Sequence, residues 1–206
     1  AQQLQDLWRR ALDRLANTPA NLPRVRAFLQ RYPADSAMVE RLAAMQQAVE
    51  RAERAARDPA NIARQAARTA LDQGDMELAE EQVQATLALR PQDGESLGNL
   101  GLIRLRQGQH AQAQDLFSQA YALTRQSRWK DLQATARFWG LLRQADRAVE
   151  QNELVTAASL AERALQMQPQ SADALTTLAS IRDLQGDHAL AENFYQQALQ
   201  PVSYTH

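Results

Sequence analysis

Asp72-Gln73-Gly74-Asp75 and Arg106-Gln107-Gly108-Gln109 decide the fold of this 206-residue chain, because their glycines lie 34 residues apart and the same pattern surrounds each. Ala79 and Ala113 follow their glycines by five residues, Thr86 and Ala120 by twelve, and Pro91 closes the first unit. A glycine ending a helix takes the left-handed conformation without a side-chain penalty. Small residues at fixed offsets then let two helices approach closely. Leu97, Leu100, Phe117 and Leu123 are placed to fill the gap to the next pair.

A helix–turn–helix unit with this period is the tetratricopeptide repeat, which buries its apolar face only by stacking on its neighbours. The fold expected is all-α: a right-handed superhelical solenoid of such repeats. Composition agrees, since Ala, Leu, Gln, Arg and Glu dominate while Gly and Pro number seven each. The formal charge of −1 provides no field to attract nucleic acid or an anionic surface. Cysteine is absent, which excludes disulfides and thiolate metal sites. No apolar run reaches the roughly 18–20 residues needed to span a bilayer. The start Ala1-Gln2-Gln3, with neither Met nor signal peptide, leads us to expect a piece of a longer protein.

Residues 1–58 read as degenerate N-terminal repeats, with helices expected over 4–16, 22–31 and 36–57. Trp8 should be core, and Met38, Val39, Leu42, Met45 and Val49 should face inward. Asp35 or Ser36 should cap the third helix, and Asp58-Pro59 should start a fourth. Two repeats are then expected over 59–127, with helices near 60–73, 76–89, 94–107 and 110–124 and N-caps at Asp75 and Asp93. The next turn marker, Asn152, comes 44 residues after Gly108, ten more than the period. The excess contains Trp129, Phe138 and Trp139 without Pro, so a lengthened helix over about 128–151 is expected, a candidate hinge that redirects the superhelix. Regular repeats resume over 152–200, where Gly186 follows Asn152 by 34 residues and Pro201 stops the last helix before a frayed tail, 201–206.

No Ser-His-Asp order, phosphate loop or metal motif is present, so neither catalysis nor a cofactor is expected. His110 and His188 occupy equivalent places 78 residues apart, which do not converge on a metal; both are expected to pack at helix starts. Phe117 and Tyr195 should face the helix core. The inner groove of such a stack is lined by first-helix residues, here Asn61, Arg64, Arg68, Asp72, Glu95, Leu102, Arg106, Leu142, Asp146, Asp173, Thr176 and Ser180. Trp129 and Trp139 either cover the extra helix or form an exposed aromatic platform beside that groove.

The order of these features resembles the periplasmic segment of the cellulose synthase operon protein C family of outer-membrane cellulose exporters. The residues that carry the resemblance are Pro91-Gln92-Asp93-Gly94-Glu95-Ser96-Leu97-Gly98-Asn99-Leu100-Gly101, the ten-residue insertion, Ala145-Asp146-Arg147-Ala148 and Ala161-Glu162-Arg163-Ala164-Leu165. Ala191-Glu192-Asn193-Phe194-Tyr195 and, upstream, Arg26-Ala27-Phe28-Leu29-Gln30-Arg31-Tyr32-Pro33 also fit. The resemblance implies a non-enzymatic periplasmic scaffold between the inner-membrane synthase complex and the outer-membrane pore. Its partners would be other subunits of that complex, with the glucan chain or peptidoglycan as further contacts. Membrane attachment would come only through a C-terminal barrel, whose alternating strands this chain lacks. The alternative is a cytosolic peptide-binding adaptor. Chaperone-binding repeats hold a peptide carboxylate with a Lys/Asn/Arg clamp, and the corresponding places here are Arg64/Arg68, Gly98/Leu102 and Thr176/Ser180. The clamp is not matched, although Arg64 and Arg68 could hold one anion.

Overall fold

Alternation between capped helices and left-handed turns runs through the computed structural model, which describes residues 2–200. Every regular element among the described residues is helical. The chain divides into two compact units, residues 1–65 and 66–206.

In the first unit, helix α1 spans Gln2–Asp13, a 3-10 turn spans Pro19–Asn21, α2 spans Leu22–Arg31 and α3 spans Ser36–Arg57. The expected 4–16 helix therefore stops three residues early. The carbonyls beyond it are taken by side chains instead: Asn21 donates to the Ala16 carbonyl at 2.9 Å and Arg41 to that of Leu15 at 2.6 Å. Asp35 caps α3, accepting from the Met38 N–H at 3.1 Å. The core joins Leu12, Val25, Phe28, Met38 and Met45. Trp8 is not fully buried; it packs edge-on against Phe28 at 5.2 Å on the rim of that core. Val39, expected inside, is 49% exposed, because Met38 and Met45 occupy the inward face of α3.

Helix α4 spans Pro59–Gln73. The Asp58 carboxylate starts it by accepting from the Ala60 and Asn61 N–H groups at 2.9 and 3.3 Å. Then follow α5 Met76–Leu89, α6 Gly94–Arg106, α7 His110–Thr124, α8 Ser127–Glu150, α9 Leu154–Met167, α10 Ala172–Leu184 and α11 His188–Ala198. Asp75, Asp93, Ser171 and Asp187 accept N–H bonds from the first turns of α5, α6, α10 and α11, respectively. Gly74, Gly108 and Gly186 adopt φ of +79°, +74° and +84°, and Asn152 takes the same role at +59°. Each lets the chain reverse within a few residues, so consecutive helices pack as hairpins.

The small residues five positions after each marker, Ala79, Ala113, Ala157 and Ala191, are all buried. Of the four larger residues expected to fill gaps between repeats, Leu97 and Phe117 are buried and Leu100 is partly buried. Leu123 is 48% exposed: it lies in the last turn of α7, where it meets Gly94, which has no side chain to cover it. The expected insertion is one unbroken 24-residue helix, α8, which packs on α7 at one side and on α9 and α10 at the other. Between α7 and α8 only Arg125, left-handed at φ 56°, and extended Gln126 are non-helical. Pro201 and the tail 201–206 lie outside the described residues.

Candidate functional site

The register of α8 determines which candidate side chains meet solvent. Trp129 lies in its first turn and is 1% exposed, so it belongs to the core and not to an aromatic platform. Gly98 on α6 makes this possible, since any Cβ there would run into the indole ring. The ring stacks on Phe117 at 6.1 Å, and the Arg128 guanidinium covers it at 4.0 Å. Arg128 in turn binds Glu95, which removes that carboxylate from the free groove set. Trp139 follows ten residues later. At about 100° per residue it points to a different side of α8, where it is 38% exposed and edge-on to Phe138 at 5.3 Å.

Seven residues beyond Trp139, on the same face, stands Asp146. Together with Val149 of α8 and Thr176, Thr177, Ser180, Ile181 and Leu184 of α10 it lines a groove of about 380 Å³. Thr176 donates its hydroxyl hydrogen back to the carbonyls of Ala172 and Asp173, at 2.8 and 3.1 Å, so its oxygen faces outward as an acceptor. The Ser180 hydroxyl meets the Tyr195 hydroxyl of α11 at 3.0 Å. One of that pair's two hydrogens is committed to the pair and the other is available to a ligand. No hydrogen bond or ion pair within the described residues engages the Asp146 carboxylate. Tyr195, expected in the core, is 39% exposed. It matches Phe117 by repeat position, but Phe117 is covered by α8, whereas the phenol of Tyr195 turns to Ser180.

The remaining candidates are not among the residues that line this groove. Asn61 donates to the Ala55 carbonyl at 2.8 Å, and Arg64 donates to Asn61 at 2.9 Å. Arg68 and Asp72 are exposed on α4, and Asp173 is exposed in the first turn of α10. Arg106 is exposed beside the Met76 sulfur at 3.1 Å. Leu142 is 5% exposed and packs with Phe138 and Ala174, so it is core and not groove lining. Leu102 packs against the Trp129 cluster.

His110 packs at the start of α7 beside Gly140; burial first, and then the charge of Arg143, hold its pKa below the ordinary value. His188 departs from the expectation of packing. Its ring is largely exposed, and Nδ1 lies 2.6 Å from the Asp183 carboxylate. Among the described residues no group of three or more His, Asp or Glu could hold a metal, and no helix is long and apolar enough to cross a membrane.

The family model described as tetratricopeptide repeat matches residues 64–128 and 142–204, and the gap between the matches falls within α8. The chain is 32% identical over 93% of its length to cellulose synthase operon protein C of Xanthomonas axonopodis pv. citri, and spans 12% of that protein. It is 28% identical over 63% of its length to the protein of the same name from Pseudomonas fluorescens, spanning 10% of it. The resemblance drawn from the motifs is thus recovered across nearly the whole chain. Among solved structures, a tetratricopeptide repeat protein from Parabacteroides merdae aligns over 86% of this chain and 84% of its own, at 14% identity and a TM-score of 0.37. With markers, caps and buried small residues at the repeat positions, and the family model matching more than half of its residues, the chain belongs to the tetratricopeptide-repeat family.

Proposed function

We propose that this chain is a non-enzymatic repeat scaffold from a bacterial cellulose-export protein. It would stand in the periplasm between the inner-membrane synthase complex and the outer-membrane pore, binding subunits of that complex and guiding the glucan. The observation that carries the proposal is the similarity to cellulose synthase operon protein C over 93% of the chain. Stacked helix hairpins suit the role, because they give length and continuous surface from a repeating unit. The carboxylates support it as well: Asp35, Asp58, Asp75 and Asp93 are occupied as helix caps, not gathered as acid–base pairs.

The experiment is an in-frame deletion of this segment from the parent gene in a cellulose-producing bacterium. Secreted cellulose should fall by about tenfold or more while synthase activity in isolated membranes persists, because partners held on one scaffold gain about a hundredfold or more in effective affinity that the deletion removes. Unchanged secretion would reject the scaffold role, and a parent protein found in the cytosol would favour the peptide-adaptor alternative.

A further inference from the structure

We infer that the groove between α8 and α10 is a binding site for a segment of neutral β-linked glucan, with Trp139, Asp146, Thr176, Ser180 and Tyr195 as its contacts. The inference rests on the proposed export role for the choice of glycan, and on the geometry for the site. A pyranose chain presents apolar C–H faces and a rim of hydroxyls, and it carries no charge. Its recognition requires flat apolar surface together with donors and acceptors. The groove lining supplies the polar groups, and two aromatic rings flank it, Trp139 seven residues before Asp146 on the same face of α8 and Tyr195 through its hydroxyl contact with Ser180. Trp139 and Tyr195 are each more than a third exposed although aromatic, and neither is needed to close the core clusters of this unit. Asp146 offers an uncommitted carboxylate at the groove wall and Thr176 an outward oxygen. The Ser180–Tyr195 pair holds one free hydrogen. A sugar hydroxyl, which donates and accepts at once, satisfies a carboxylate and such a hydroxyl pair better than a one-way donor would.

Spacing supports the same ligand. The seven residues from Trp139 to Asp146 rise about 10 Å along α8, room for roughly two linked pyranose rings between the stacking surface and the carboxylate. Peptide docking is disfavoured at this place. Repeat grooves that hold a peptide C-terminal carboxylate need cations, and the groove lining contains none, so only a basic peptide would compete there.

The test is a titration of the 206-residue chain with cellotetraose and cellohexaose, followed by NMR. The three indole signals, from Trp8, Trp129 and Trp139, report separately. Saturable shifts are expected at Trp139 and at the α10 amides, with the buried Trp129 unmoved. Trp139→Ala and Asp146→Asn should each weaken binding about tenfold, the usual scale for losing one stacking contact or one hydrogen bond to a charged group. Asp146→Asn alters an exposed side chain without changing its shape, so it keeps the test decisive if the Trp139 variant unfolds. No shift at millimolar sugar, or binding unchanged in Asp146→Asn, overturns the site. So does preferential binding of a Lys-rich peptide to the same residues. The deletion assay separates the two levels. If secretion requires the segment and oligosaccharide does not bind, the site alone fails. If secretion is indifferent to the segment, the export role fails too.

Discussion

Gly98 and Gly140 both lie inside helices, yet alanine should act on them with opposite sign. At Gly98 the new Cβ meets the Trp129 ring, which is packed between Phe117 and Arg128 and cannot retreat. Gly98→Ala should cost about 2 kcal/mol or more in urea unfolding, as overpacking does, and combining it with Trp129→Leu should recover part of that loss. At Gly140 the nearest atom to a new Cβ is that of His110 Cβ at 3.4 Å, an ordinary contact. Gly140→Ala should therefore add about 0.5–1 kcal/mol through helix propensity. Equal effects at the two sites would contradict the Trp129 notch. His110 gives a residue-scale pH effect. Its pKa is depressed below 6.5 in the folded protein by burial and by Arg143. The unfolded chain therefore takes up the proton first as pH falls, so the stability held above about pH 6.5 declines from there down through the folded pKa. The urea midpoint should fall more between about pH 7.5 and about pH 5.5 in the parent than in His110→Gln; parallel curves would show that His110 titrates freely.

At the scale of elements, legibility followed the repeat. Helix ends were readable to within a residue or two wherever Asp, Ser or a left-handed Gly or Asn stood at the boundary, because caps and turns are local chemistry. The second half of α8 was readable in part: counting back from Asn152 sets Trp139 and Asp146 toward the groove, and both are exposed, whereas Leu142 is buried. The inserted first half has no equivalent in the other repeats to fix its register, so the covering of Trp129 was not legible. The missed signal was Gly98 itself, since a glycine inside a helix costs stability unless something packs against it. Tyr195 was misplaced for the converse reason: the repeat predicted its position and not which neighbour covers it. Hairpins are also tied by a recurring set of polar side chains. Arg104 binds Glu80 at 2.7 Å while Gln107 reaches both, and Arg182 binds Glu162 and Gln185 in the same pattern near the next glycine but one. The Arg104 hydrogen bond is the main cause of the lowered pKa of Glu80. Since α8 packs on α7, α9 and α10, it should couple the hairpins at its two sides. Thr135→Pro, at mid-helix, removes a backbone bond and should cost about 3 kcal/mol or more. It should also split one urea transition into two when followed by circular dichroism. A single transition at a lower midpoint would mean that coupling runs by another route.

At the scale of the molecule, charge separates the ligand classes. The chain carries 23 basic and 24 acidic side chains, so neither sign dominates and long-range steering is weak. A site that works by stacking and hydroxyl hydrogen bonds on such a background should respond little to salt. Exposed charges, in contrast, are screened over about 8–10 Å at physiological ionic strength and over about 3 Å at 1 M. The affinity of the chain for cellohexaose should then change by less than about twofold between about 0.05 M and about 0.5 M sodium chloride, a range in which screening alone weakens exposed ionic contacts markedly. Asp146 does not spoil the comparison, because its partner would be a neutral hydroxyl and not a cation. Isothermal titration at the two salt concentrations measures this directly. A fall of about tenfold would mark an ionic ligand held by Asp146, and would move the groove from glycan recognition to a basic peptide.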